Sequence, residues 1–143
     1  MFSLDSRLEH DTHFIGDFTL CRLLLCNDSL YPWFILVPRR AEICEVFELA
    51  EADQLQLWRE TSALAECLDK DFSADKMNVA ALGNVVSQLH MHVIVRYKTD
   101  AAWPAPVWGK QPAVPYAPQE LAKLKLRITT RLAQGFDFVE AQA

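Results

Sequence analysis

The chain lacks most of the features that would place it in a specialised class. Its four cysteines, Cys21, Cys26, Cys44 and Cys67, show no C-x-x-C and no metal-finger spacing, so neither a disulfide framework nor a zinc module has support. No apolar run approaches the roughly 20 residues of a membrane span. The first ten residues hold no apolar h-region, and Asp5, Arg7 and Glu9 put charge there instead, so no signal peptide is expected. Basic charge is not in surplus: 14 Lys and Arg stand against 19 Asp and Glu, a net charge of −5. That balance argues against a nonspecific nucleic-acid binder and against a surface that clings to anionic membrane. A small anionic ligand stays open, because local donors decide its binding. There is no internal repeat and no low-complexity tract.

What is present is enough for a core. With 143 residues, 51% of them apolar and 23% charged, the chain is expected to form one domain spanning 1–143 and to bury about 68–70% of its unfolded surface. Cysteines set among apolar neighbours without pairing motifs are expected to be reduced core residues, as in a cytoplasmic protein.

Phe18 to Cys26 reads as a buried strand ending at the turn cluster Asn27-Asp28-Ser29, and Trp33 to Val37 as a second strand stopped by Pro38. The pair predicts an antiparallel hairpin. Leu55, Trp58, Ala65 and Leu68 fall at helical spacings with acidic and basic residues between them, Glu60 included, predicting a helix from about Asp53 to Asp69. Met77 to Leu82 reads as a short strand broken at Gly83-Asn84, and Ser87 to Tyr97 as a long one. Between Thr99 and Pro118 five prolines alternate with Trp103, Trp108 and Tyr116; the segment is expected to be an ordered loop. Leu121, Leu124, Ile128 and Leu132 predict a second helix ended near Gly135. The order points to an α+β fold with helices covering a mostly antiparallel sheet.

The stretch that carries chemistry is Ser87 to Tyr97. Alternation along a strand would send Gln88, His90 and His92 to one face, and Leu89, Met91 and Val93 to the core. Three polar groups about 6–7 Å apart can grip a phosphate or a metal ion. Two strand histidines can also simply make surface hydrogen bonds. Metal ligation needs a third ligand, and the available histidines, His10 and His13, lie far off in the chain.

The stretch NVAALGNVVSQLHMHVIVR, from Asn78 to Arg96, resembles the motif of the histidine triad (HIT) superfamily. LYPWFILVPRR upstream and AWPAPVWG downstream are similar to flanking blocks of that family, so the resemblance covers roughly Cys21 to Gly109. It implies a HIT-like α+β fold with an antiparallel sheet of about five strands and two main helices. It also implies a nucleotide hydrolase or nucleotidyl transferase acting at the α-phosphate through a nucleotidyl-histidine. In that reading His90 is the nucleophile and His92 a donor to a phosphate oxygen, while Gln88 stands where the first triad histidine would be. Asn27 matches a ribose-contacting position, and Asn78 and Asn84 match polar positions around the phosphate; each can equally be a turn or strand-end residue. Arg96 matches a basic position after the triad strand, or is a solvated charge. Trp33 replaces a frequent upstream histidine. It can stack or pack but cannot act as a charged donor, which bears most on the leaving-group step. The resemblance implies a nucleotide or nucleotide conjugate as ligand, a homodimer, and no obligate cofactor or protein-bound metal, with Mg²⁺ accompanying a polyphosphate substrate. The competing expectation is a HIT-derived domain that binds or senses a nucleotide with little turnover.

Overall fold

The computed structural model describes residues 1–142. The elements run α1 (Ser6–Asp11), β1 (Thr12–Asp17), β2 (Cys21–Cys26), β3 (Trp33–Pro38), a 3-10 turn (Val46–Glu48), α2 (Glu51–Phe72), β4 (Lys76–Ala80), β5 (Met91–Arg96), α3 (Pro118–Gly135) and β6 (Val139–Glu140). The strands form one sheet in the order β4-β5-β3-β2-β1-β6, and every pairing is antiparallel. The α+β architecture with two main helices follows the expectation; the sheet has six strands rather than about five.

The additional strand content comes from the ends of the chain. β1 pairs with β2 through a bulge between Phe14 and Gly16, and the two-residue β6 pairs with β1 at Gly16. Gly16 is required there, because a Cβ would sit 2.3 Å from the Phe138 ring and 2.5 Å from the Val139 carbonyl. Neither β1 nor β6 shows an apolar alternation long enough to announce it.

The two faces of the sheet are covered differently. Leu23, Leu25, Phe34, Leu36, Met91, Val93 and Val95 meet α2 and α3 in the larger core. Leu24, Trp33, Ile35, Val37 and Ile94 face the other way, against Leu8, Phe2 and Leu4 of the N-terminal segment and Ala102, Val107 and Trp108 of the proline-rich segment. β3 and β5 are therefore buried on both faces, which is why their sequences read as unbroken apolar runs.

α2 corrects the sequence reading of its buried stripe. Leu55 and Trp58 are about half exposed, whereas Leu57, Glu60, Thr61, Leu64, Cys67 and Leu68 are buried. A buried carboxylate is tolerated when its lone pairs are satisfied, and Glu60 accepts from the Leu20 and Cys21 amides at 2.9 and 2.8 Å and from Gln56 Nε2 at 2.7 Å. The helix is thereby tied to the β1–β2 hairpin. The cysteines are all free, and Cys21 and Cys67 are core residues as expected, but Cys26 is half-buried and Cys44 exposed. Burial pushes the Cys26 thiol up to about 12, so it is not poised as a nucleophile.

Candidate active site

β5 is shorter than the sequence predicts. The ladder with β4 ends at Ala80↔His92 and that with β3 at Leu36↔Met91, so residues 87–90 have no strand to pair with. Leu89 instead donates its N–H to the Ile43 carbonyl at 2.8 Å. The expected alignment of Gln88, His90 and His92 along one strand face is corrected accordingly. Leu89, Met91 and Val93 do enter the core. Gln88, however, turns its amide to the N-terminal segment: Oε1 accepts from Asp5 N and Nε2 donates to Ser3 O, both at 2.8 Å. What Gln88 offers His90 is its main-chain carbonyl.

His90 and His92 are brought together, with ring centroids 4.8 Å apart and planes at 70°. Both are buried, at 7% and 6% exposure. His90 Nδ1 lies 2.7 Å from the Gln88 carbonyl oxygen. A carbonyl only accepts, so Nδ1 carries a proton, and in the neutral ring the lone pair is on Nε2. His92 is held the opposite way round. The indole Nε1–H of Trp33 donates to its Nδ1 at 3.0 Å; an indole only donates, so the proton of neutral His92 is on Nε2. Desolvation first, and the neighbouring His90 second, push His92 down to about 3, so the ring is neutral at physiological pH.

β3 supplies Trp33 from the position opposite Ile94, with Ile35 opposite His92; opposed residues share a face, which brings indole and imidazole together. Trp108 closes the group, 5.0 Å from His92 at 79° and 5.7 Å from Trp33 at 89°. These edge-to-face contacts suit the ring quadrupoles.

The proline-rich segment packs against the sheet through Ala102, Val107 and Trp108, and its anchor is Arg96. The residue is 1% exposed, and its guanidinium is not a solvated charge. It donates to both Asp100 oxygens at 2.8 and 3.0 Å, to Asn78 Oδ1 at 2.8 Å and to the Ala105 carbonyl at 2.9 Å, beneath the Trp103 ring at 5.6 Å. Asn78 thus belongs to the Arg96 clasp. Asn27 Oδ1 accepts from the Tyr116 amide at 3.0 Å, pinning the far end of the same segment. Asn84 is exposed after Gly83, whose φ is +78°; Val86, two residues on, packs against the Trp33–Ile94 side. The structure therefore unites His90 and His92, and assigns the described side-chain contacts of Gln88, Asn27 and Asn78 to neighbouring segments.

Trp33 as a hydrogen-bond donor and Asp100 were missed in the sequence. Asp100 had a signal in its four-residue spacing from Arg96. A cleft of about 510 Å³ lined by Cys67, Arg131 and Phe136 lies between the helices, away from both imidazoles. Among the described residues no group of three or more His, Cys, Asp or Glu is placed to hold a metal ion, and no helix is long and apolar enough to cross a membrane.

The comparisons agree with this architecture. The HIT domain model matches residues 7–99, and the chain belongs to that family. It is similar to a histidine triad protein from Marinobacter aquaeolei VT8, with 53% identity and a TM-score of 0.91 over 94% of this chain and 98% of that one. A histidine triad protein from Sinorhizobium meliloti 1021 gives 48% and 0.89 over 92% and 98%. One from Bradyrhizobium japonicum gives 42% and 0.89 over 91% and 97%. No protein of curated function matches the sequence.

Proposed function

We propose that the protein is a nucleotide hydrolase or nucleotidyl transferase, acting at the α-phosphate of a nucleoside phosphoester, phosphoanhydride or phosphoramidate. Family membership implies nucleotide binding in general terms. The observation that carries the specific reading is the hydrogen bond from His90 Nδ1 to the Gln88 carbonyl, which orients the neutral ring with Nε2 as the nucleophilic nitrogen. Nε2 forms a bond to phosphorus as the bond to the leaving group breaks, and the leaving group takes that electron pair. Water then attacks phosphorus, the N–P electrons return to Nε2, the water proton passes to solvent, and a nucleoside monophosphate departs. His92 presents its Nε2–H to a nonbridging oxygen.

The catalytic set is His90 and His92, a Q-x-H-x-H variant in which Gln88 is a positioning residue through its carbonyl. Asn27, Asn78 and Asn84 remain proposed nucleotide-side positions, the first two acting through the segments they pin. The whole chain is read as one HIT-like domain, since Ile128 and Leu132 of α3 join the core of the sheet. The edge strand β4, with Val79 40% exposed, supports a homodimer through strand pairing, which sedimentation at micromolar concentration would register as twice the chain mass. Mg²⁺ would enter only with a polyphosphate substrate.

The test is release of nucleoside monophosphate from a dinucleoside polyphosphate, with mass-spectrometric trapping of a nucleotide on His90. Binding without release or adduct would make the chain a nucleotide-holding domain.

A further inference from the structure

We infer that Trp33 is a positioning residue that fixes His92 as a neutral Nε2–H donor, and that this selects substrates whose leaving group departs as a phosphate anion over those that release an amine. The inference rests on the proposed role of His90 as nucleophile.

The geometry leaves His92 one arrangement. Trp33 Nε1–H points at Nδ1 from 3.0 Å, and an indole nitrogen has no lone pair to accept with. Adding a proton at Nδ1 would set two N–H groups against each other in a site where His92 is 6% exposed. Of the histidines, only His10 is paired with a carboxylate among the described ion pairs, that of Asp11, so no carboxylate offsets an imidazolium at His92. The Trp108 and Trp33 rings pack against it, with centroids 5.0 and 5.7 Å away. His92 therefore donates a hydrogen bond without lending a proton: surrender of Nε2–H would leave an imidazolate, because Nδ1 cannot be reloaded. Gln88 does not ionise, and its amide is taken up by Ser3 and Asp5.

The consequence falls on the leaving group. When His90 Nε2 attacks a phosphoanhydride, the P–O electron pair goes to an oxygen of a second phosphate. That group is stable as an anion near neutral pH, its second pKa being about 6, so no proton is needed. In a phosphoramidate the P–N electron pair goes to nitrogen, which must gain a proton for an amine to leave. A positioned general acid supplies about 10²–10⁴-fold to such a step, and neither His92 nor Gln88 is arranged to act as one. The favoured substrate class is a nucleotide joined through an anhydride to further phosphate.

Two measurements on the intact protein test this. Long-range ¹H–¹⁵N NMR at pH 7 should show His92 protonated at Nε2 and bare at Nδ1. Kinetics should show kcat/KM for diadenosine tetraphosphate exceeding that for an adenosine 5′-phosphoramidate of a primary amine by about 10²-fold or more. In Trp33→Phe, which keeps an aromatic ring but no donor, the ratio should narrow about tenfold through kcat on the amidate, with its KM little changed. An Nδ1–H tautomer at His92, or equal wild-type turnover of both substrates, overturns the inference while leaving the hydrolase reading standing. Absence of turnover and of a His90 adduct with both substrates overturns the hydrolase reading and the leaving-group selection together, and the tautomer then decides the role of Trp33 by itself.

Discussion

His90→Asn should lower turnover by about 10⁴- to 10⁶-fold, the loss seen when a covalent nucleophile is removed and only binding and electrostatic stabilisation are left. Asparagine is the informative replacement because its amide N–H can still donate to the Gln88 carbonyl that now holds His90 Nδ1, so that carbonyl need not lose its partner. The fold should persist with a cost of about 1–2 kcal/mol, since the side chain is nearly buried but bonded to a single partner. Steady-state kinetics, a melting curve and intact-mass detection of the nucleotidyl adduct check the three parts separately. Activity within tenfold of wild type, or an adduct recovered on His92, would move the nucleophile away from His90. His92→Asn should differ in kind: the adduct on His90 should still form, more slowly, because the bond-forming nitrogen is intact and only a donor to the phosphate is lost.

The contrast between the two histidines also marks where sequence reasoning reached and where it stopped. Strands and helices were legible wherever burial is continuous. WFILVP and MHVIVR lie on strands covered on both faces, and α3 has apolar spacing, a proline at its start and a glycine at its end. β1 was not legible, because its neighbours in the sheet supply the burial that its own alternation does not advertise. The stripe of α2 was misjudged for a related reason. Glu60 looks like a solvent residue until its three donors, two of them on a hairpin some 40 residues earlier in the chain, are known.

At the site, residue types were readable and partners were not. His90 and His92 stand out by type and spacing, yet the proton on each ring is set by groups remote in sequence or on the main chain: Trp33, 59 residues away, and the carbonyl of Gln88. A tryptophan in place of a histidine reads as a loss of charge. Only the β3–β5 register shows that its N–H remains a directed donor. Gln88 was placed by period-two alternation beside the imidazoles, but alternation presupposes a ladder, and the ladder begins at Met91.

Asp100→Ala should cost about 3–5 kcal/mol, the effect of leaving a buried charge without its partner, and lower Tm by roughly 10 °C. The pair it breaks is closed to water, with the Arg96 and Asp100 side chains 2% and 4% exposed. The carboxylate accepts five hydrogen bonds: two from Arg96 and one each from the amides of Tyr97, Ala102 and Trp103. Replacing both partners, as in Arg96→Met with Asp100→Leu, should recover part of the loss because no bare charge is left; the three main-chain N–H groups prevent full recovery. The same clasp predicts acid sensitivity. Burial alone would raise the Asp100 carboxyl, but the hydrogen bonds from Arg96, Tyr97 and Trp103 outweigh it and hold the group below its ordinary 3.8. A folded-state value below the unfolded one gives stability that is present above 3.8 and lost as pH falls through the folded value, so wild type should lose more stability than Asp100→Ala below pH 4. Function should follow structure, because the turn built on Asp100 carries the chain on to Trp108 and its contact with His92. Release of that turn should change tryptophan emission and reduce nucleotidyl transfer even below the melting temperature. A variant melting within 2 °C of wild type with unchanged emission would show that Arg96 finds another partner and that the proline-rich segment is held in place by its apolar contacts, Ala102 and Val107 among them.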